Sequence, residues 1–161
     1  MKNLKTDLEK PLNLLVVDQD EVSLLMHIKI AKATGLFKSI RLATNGLDAF
    51  DHINLVAEGS IHFPDIMLFD LDLPVMNGIT LLKVLRKSDM KRIDKICFVV
   101  LASSVSDHEK EVAASLGVTA FLAKPLSAES LTDVITSIDR HHHFFSAAHR
   151  TNDLDVIGRT L

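Results

Sequence analysis

Five short apolar runs, each followed by a stretch of helical spacing, constrain this chain more than any other feature. They are Asn13–Val17, the half-polar Ser39–Ala43, Ile66–Phe69, Ile96–Leu101 and Ala120–Ala123. Short apolar runs bounded by turn residues read as strands buried on both faces. Between them the period changes to that of a helix. Leu24, Leu25, Ile28 and Ala31 make one predicted face before Gly35, and Phe50, Ile53 and Ala57 make another after Thr44-Asn45-Gly46. Leu81, Leu82 and Leu85 point inward from a helix over Gly78 to Arg86. Ser106-Asp107-His108-Glu109 has capping-box spacing for a fourth helix, which Gly117 stops. Ser127 caps a fifth, carrying Leu131, Val134, Ile135 and Ile138. Five βα units predict an α/β chain with a parallel sheet and helices on both faces.

Charged residues stand where three of these strands stop. Asp70 follows Ile66-Met67-Leu68-Phe69, Asp18 follows Leu14-Leu15-Val16-Val17, and Lys124 follows Ala120-Phe121-Leu122-Ala123. A carboxylate is too costly to bury in so short an apolar run, so Asp70 must surface at the strand's end. Pro74 and Asn77-Gly78 then force a turn. Open α/β sheets bind their ligands at the carboxyl ends of their strands, so these three residues are the candidate site.

Bulk properties narrow the classes. In 161 residues, 47% apolar and 24% charged, one globular domain with a sizeable core is expected. A net charge of −3 provides no electrostatic footprint for nucleic acid or an anionic membrane. No apolar stretch nears the roughly 18 residues that span a bilayer. The charged segment Met1–Lys10 lacks a signal-peptide core, so a cytoplasmic location is expected. Cys97 is the single cysteine and reads as a small buried hydrophobe.

Asp18 after Val16-Val17, the run Asp70-Leu71-Asp72-Leu73-Pro74-Val75-Met76-Asn77-Gly78, and Lys124-Pro125 together resemble the receiver domain of two-component response regulators. Ala43-Thr44-Asn45-Gly46 and Leu116-Gly117-Val118 also sit where such domains carry similar residues. The resemblance covers about residues 12–140, leaving 1–11 as a leader and 141–161 as a C-terminal helix extension or tail. It implies a flavodoxin-like sheet in the strand order 2-1-3-4-5. It further implies that Asp70 accepts a phosphoryl group from a sensor histidine kinase or phosphotransfer protein. Mg²⁺ would be held by Asp70, by Asp18 and by the backbone carbonyl of Asp72, since a hard cation takes oxygen ligands. Lys124 would neutralise the phosphoryl oxygens, with Ala102, Ser103 and Phe121 at the switching positions. Such a domain is no enzyme beyond assisting its own phosphorylation and dephosphorylation. It signals by touching an output protein, with a homodimer as one form. Residues 141–161 are too few for a DNA-binding or enzymatic domain.

Two positions depart from the family pattern. Gln19 stands where receivers usually carry a second acid. Its amide oxygen can still ligate the metal as a weak ligand, without the charge, which predicts weak Mg²⁺ binding. Asp20 either replaces that acid or caps the first helix. Ala102 stands where a Thr or Ser hydroxyl usually contacts the phosphoryl group, and Ser103 or Ser104 is its nearest substitute. These departures make an unphosphorylated pseudo-receiver the main alternative. A remoter one is a haloacid-dehalogenase-type phosphatase, whose nucleophile motif Asp70-x-Asp72 would satisfy. That family needs a further acidic pair after the lysine, and the sequence beyond Lys124 reads as helix. Three consecutive histidines, His141 to His143, would point in three directions on a helix and suit a helix end better than a metal site.

Overall fold

The computed structural model describes residues 11–56, 62–90 and 92–142. Strands β1 (Leu12–Val17), β2 (Phe37–Ala43), β3 (Ile66–Phe69), β4 (Cys97–Ala102) and β5 (Val118–Ala123) alternate with five α-helices. These are α1 (Glu21–Thr34), α2 (Gly46–Leu55), α3 (Gly78–Lys87), α4 (Asp107–Ser115) and α5 (Ala128–His142). All strand pairs are parallel, in the order β2-β1-β3-β4-β5. This is the flavodoxin-like, doubly wound order that the family resemblance implies.

Strict alternation along the central strands divides the core in two. Leu12, Leu14 and Val16 of β1 and Cys97, Val99 and Leu101 of β4 pack beneath α1 and α5. Leu15, Val17, Phe98, Val100 and Ala102 face the other way, toward Ala49 and Ile53 of α2 and the Leu81, Leu82 and Leu85 stripe of α3. Successive side chains of a strand point to opposite faces, so a run apolar at every position must be covered on both. Asn13 interrupts that rule at β1, and its polar atoms are satisfied. It donates to the Phe63 carbonyl at 3.0 Å, accepts from the Ser39 hydroxyl at 2.9 Å, and its N–H donates to Asp65 Oδ2 at 2.8 Å.

The helix starts follow their capping residues. Asp20, Asn45, Asn77 and Ser106 each accept backbone N–H bonds at the first turn, and the Ser106–Glu109 capping box is complete. Ser127 Oγ accepts from the Ser130 N–H ahead of α5. One inward assignment is corrected: Leu25 is largely exposed, and the buried stripe of α1 is Leu24, His27 and Ala31. Cys97 is wholly buried, and burial pushes its thiol pKa up, so it behaves as a hydrophobe. Ala57 and Gly59, like His143, Phe144 and Phe145, lie outside the described residues. No helix among the described residues is long and apolar enough to cross a membrane.

Candidate functional site

The ladder of the sheet delivers both carboxylates to one edge. Asp70 N–H donates to the Val17 carbonyl at 3.2 Å, and Asp18 N–H donates to the Ala43 carbonyl at 3.2 Å. Each aspartate is thus the first residue beyond its strand, held by one more rung of parallel pairing. Lys124 is held likewise, its N–H bonded to the Ala102 carbonyl at 3.0 Å. The Lys124 ammonium then bridges the acids, donating to Asp70 Oδ2 at 2.8 Å and Asp18 Oδ2 at 3.2 Å. The Asp18 side chain is 4% exposed, against 18% for Asp70 and 23% for Lys124. The accessible carboxylate is therefore that of Asp70.

Burial works against the Lys124 ammonium, but the hydrogen bond and charge of Asp70, followed by those of Asp18, outweigh it. Its pKa is held above the ordinary lysine value. The remaining carboxylate oxygens are also engaged: Asp72 N–H donates to Asp70 Oδ1 at 2.9 Å, and Asp20 N–H to Asp18 Oδ1 at 2.9 Å. Asp20 itself is taken up as the cap of α1, accepting from the Ser23 hydroxyl and from the N–H groups of Ser23 and Val22. These bonds, the Ser23 hydroxyl first, hold its pKa below the usual carboxylate range. So Asp20 does not take the place of the missing acid. The Asp72 side chain is exposed, and Gln19 Nε2 donates to the Asp72 carbonyl at 3.3 Å.

The loop after β3 is tightly drawn. Gly78 N–H returns to the Leu71 carbonyl at 2.9 Å, and a Cβ at Gly78 would lie 2.8 Å from Leu71 Cα, so only glycine fits. Val75 has φ 66°, a left-handed conformation that costs a β-branched residue strain. Ala102 ends β4, paired with Ala123, and is buried without a hydroxyl to offer. The two serines after it part company. Ser104 lines a crevice of about 600 Å³ with Asp70, Asp72, Asn77, Thr80 and Lys83. Ser103 lines a separate cavity of about 460 Å³ with Lys124, Val22, Met26, His27 and Leu126. Phe121 is half-buried and packs against the core on the α3 side.

The geometry is that of an accessible carboxylate beside a fixed cation, at the mouth of an open α/β sheet. The response regulator receiver domain matches residues 14–136. The chain belongs to that family. Among its relatives, two-component response regulator 24 of Arabidopsis thaliana is 30% identical over 131 residues, 81% of this chain and 86% of the plant protein. The fold of the receiver is shared with a two-component response regulator of Cytophaga hutchinsonii, with a TM-score of 0.72 at 22% identity over 82% of this chain and all of that one. It is shared too with the Saccharomyces cerevisiae Ssk1 receiver, solved with the histidine phosphotransfer signaling protein Ypd1. That likeness has a TM-score of 0.64 at 22% identity over 91% of this chain and 96% of that one. Receiver domains are signalling modules of two-component systems, and the family assignment sets aside the phosphatase alternative.

Receivers bind Mg²⁺ at such an acidic pocket, and the donors present here fit a modest version of it. Two carboxylates and the Asp72 carbonyl supply hard oxygen, and Mg²⁺ completes its shell with water and phosphoryl oxygen. No cluster of three or more acidic, histidine or cysteine side chains placed to hold a metal occurs among the described residues. Gln19 in place of an acid is consistent with that. Of the residues around the site, His27 and Val75 carry no signal in the sequence, since one reads as a polar residue of α1 and the other as an ordinary loop valine.

Proposed function

We propose that this receiver takes a phosphoryl group onto Asp70 from the phosphohistidine of a sensor kinase or phosphotransfer protein, and signals by contact with an output protein. The observation that carries this reading is the Asp70 carboxylate, partly open to solvent and 2.8 Å from the Lys124 ammonium. An Asp70 oxygen attacks phosphorus, the phosphorus–nitrogen bond of the donor breaks, and an acyl phosphate remains while the donor imidazole leaves. An anionic nucleophile meeting an anionic phosphoryl group needs positive charge nearby. Lys124 supplies one such charge, and Asp18 keeps that lysine in place. Asp18, Asp70 and the Asp72 carbonyl would hold Mg²⁺, which when bound supplies further positive charge to the transferring phosphoryl oxygens. With Ala102 lacking a hydroxyl, Ser104, which lines the crevice with Asp70, offers a hydroxyl toward the new phosphoryl group.

The donor's docking face is proposed on α1, where Val22, Leu25 and Met26 are exposed large apolar side chains beside the cavity that Lys124 lines. The pseudo-receiver reading draws support from Gln19 and Ala102, and one experiment separates the two. Wild-type protein with acetyl phosphate and Mg²⁺ should gain the mass of one phosphoryl group, and Asp70→Asn should gain none while unfolding as wild type does. Incorporation that persists in Asp70→Asn would move the acceptor elsewhere. A wild-type protein inert to acetyl phosphate and to other small phosphodonors would leave the binding-module reading standing.

A further inference from the structure

Gln19 lies where β1 hands over to α1, between the buried Asp18 and the helix cap Asp20. Its amide nitrogen reaches the Asp72 carbonyl oxygen, 3.3 Å away and 53 positions along the chain. A carbonyl oxygen only accepts, so the nitrogen end of the carboxamide, and not the oxygen end, is the one that can pair with it. The contact therefore sets the amide: Nε2 toward Asp72, Oε1 away from it. Asp72 also donates its own N–H, from the preceding peptide group, to Asp70 Oδ1 at 2.9 Å. Gln19 thus holds the carbonyl of the same residue whose N–H steadies the Asp70 carboxylate.

An acid at position 19 would behave in the opposite way. A carboxylate has no proton to donate, so it would repel the Asp72 carbonyl oxygen unless a cation or a donor such as water came between them. The amide pairs with that oxygen directly, placing the positive end of an N–H dipole against it. We infer that Gln19 is a latch that competes with the divalent cation for the Asp72 carbonyl, and not a ligand to it. The inference rests on the proposed reading of this pocket as the cation-assisted phosphoacceptor site. In the metal-free site a neutral hydrogen bond then occupies the Asp72 carbonyl that the cation would otherwise take.

The latch and ligand roles predict opposite signs for one substitution. Gln19→Met keeps the length of the side chain but removes both the donor and the hard oxygen. The latch predicts that Gln19→Met binds Mg²⁺ about two- to tenfold more tightly than wild type, the range spanned by the net contribution of one ordinary hydrogen bond. Titration with MgCl₂, with no phosphodonor present, would be followed by the backbone amide shifts of Asp70 and Asp72. Gln19→Ala guards against methionine filling the gap, and must move the same way. Equal or weaker binding in both variants overturns the latch while leaving phosphorylation of Asp70 untouched. If none of the three proteins shows a saturable response, the latch falls and so does the cation assigned to the site. Acetyl phosphate labelling then still tests Asp70 on its own.

Discussion

His27 carries the one buried side-chain polar atom without a hydrogen bond among the described residues, its Nδ1. Burial lowers its pKa most strongly and Lys124 adds to that, while Asp18, Asp20 and Asp70 pull the other way. The native state therefore keeps this imidazole neutral where the unfolded chain would protonate it. An ordinary histidine titrates near about pH 6.5. Above that pH both states are neutral and the histidine costs no proton. Below it the unfolded state binds the extra proton first, so stability is lost as pH falls. His27→Leu removes that linkage and the orphaned nitrogen together. It should stabilise the protein by about 1–3 kcal/mol at neutral pH, the usual cost of an unsatisfied buried polar group. Its stability should also fall less steeply than wild type between about pH 7 and pH 5, read from urea denaturation at each pH. Parallel pH slopes for the two proteins would mean that His27 is already paired in solution. The sequence misleads at this turn for a physical reason. Val22, Leu24, Leu25, Met26, Ile28 and Ile30 put apolar residues on every side of α1, so hydrophobic spacing cannot choose the inward face.

Arg86 shows how elements distant in sequence are fastened together. From the end of α3 its Nε donates to the Leu116 carbonyl at 2.7 Å, and its Nη1 pairs with Asp94 at 3.0 Å. Its guanidinium lies 5.0 Å from the centre of the Phe98 ring. The α4–β5 corner it grips turns through Gly117 at φ 87°, where a Cβ would strike the Arg86 guanidinium. Arg86→Ala should cost about 1–3 kcal/mol, chiefly by stranding the α4 end carbonyl, and should lower the denaturation midpoint without altering its slope. Arg86→Lys should recover only part of that, because an ammonium cannot reproduce the fork. Full recovery by lysine would make the contact one of charge alone. Local devices are legible in the sequence: the Ser106–Glu109 box, the Ser127 cap and the strand-end position of Asp70 are each written within a few residues. The reach of Arg86 to Leu116, the pairing of Asn13 with Phe63 and Ser39, and the Gln19 contact with Asp72 are not. Each joins residues 26 or more positions apart, and no local pattern encodes it.

The molecule as a whole sets a rigid two-sided core under a small polar edge. The shared strand end gathers Asp18, Asp70 and Lys124, and openings flank it on either side: the Asp70 crevice toward α3 and the Lys124 cavity toward α1. On the proposed reading a small phosphodonor needs only the crevice, whereas a protein donor must also cover neighbouring surface to bring its histidine within reach of Asp70. The exposed Val22 and Met26 on α1 lie along that approach and line the cavity beside Lys124. Both side chains point away from the core, so replacing them should leave folding intact. Val22→Lys combined with Met26→Lys should therefore slow phosphotransfer from a phosphorylated histidine phosphotransfer protein by tenfold or more. That corresponds to the loss of about 1.4 kcal/mol expected when an apolar anchor of an interface is removed. Labelling by acetyl phosphate should stay within about twofold of wild type, since it uses no docking face. A parallel loss with both donors would place the defect at Asp70 itself. Unchanged transfer from the protein donor would move the docking face off α1, leaving the opposite side of the site, around Lys83 and Ser104, as the approach.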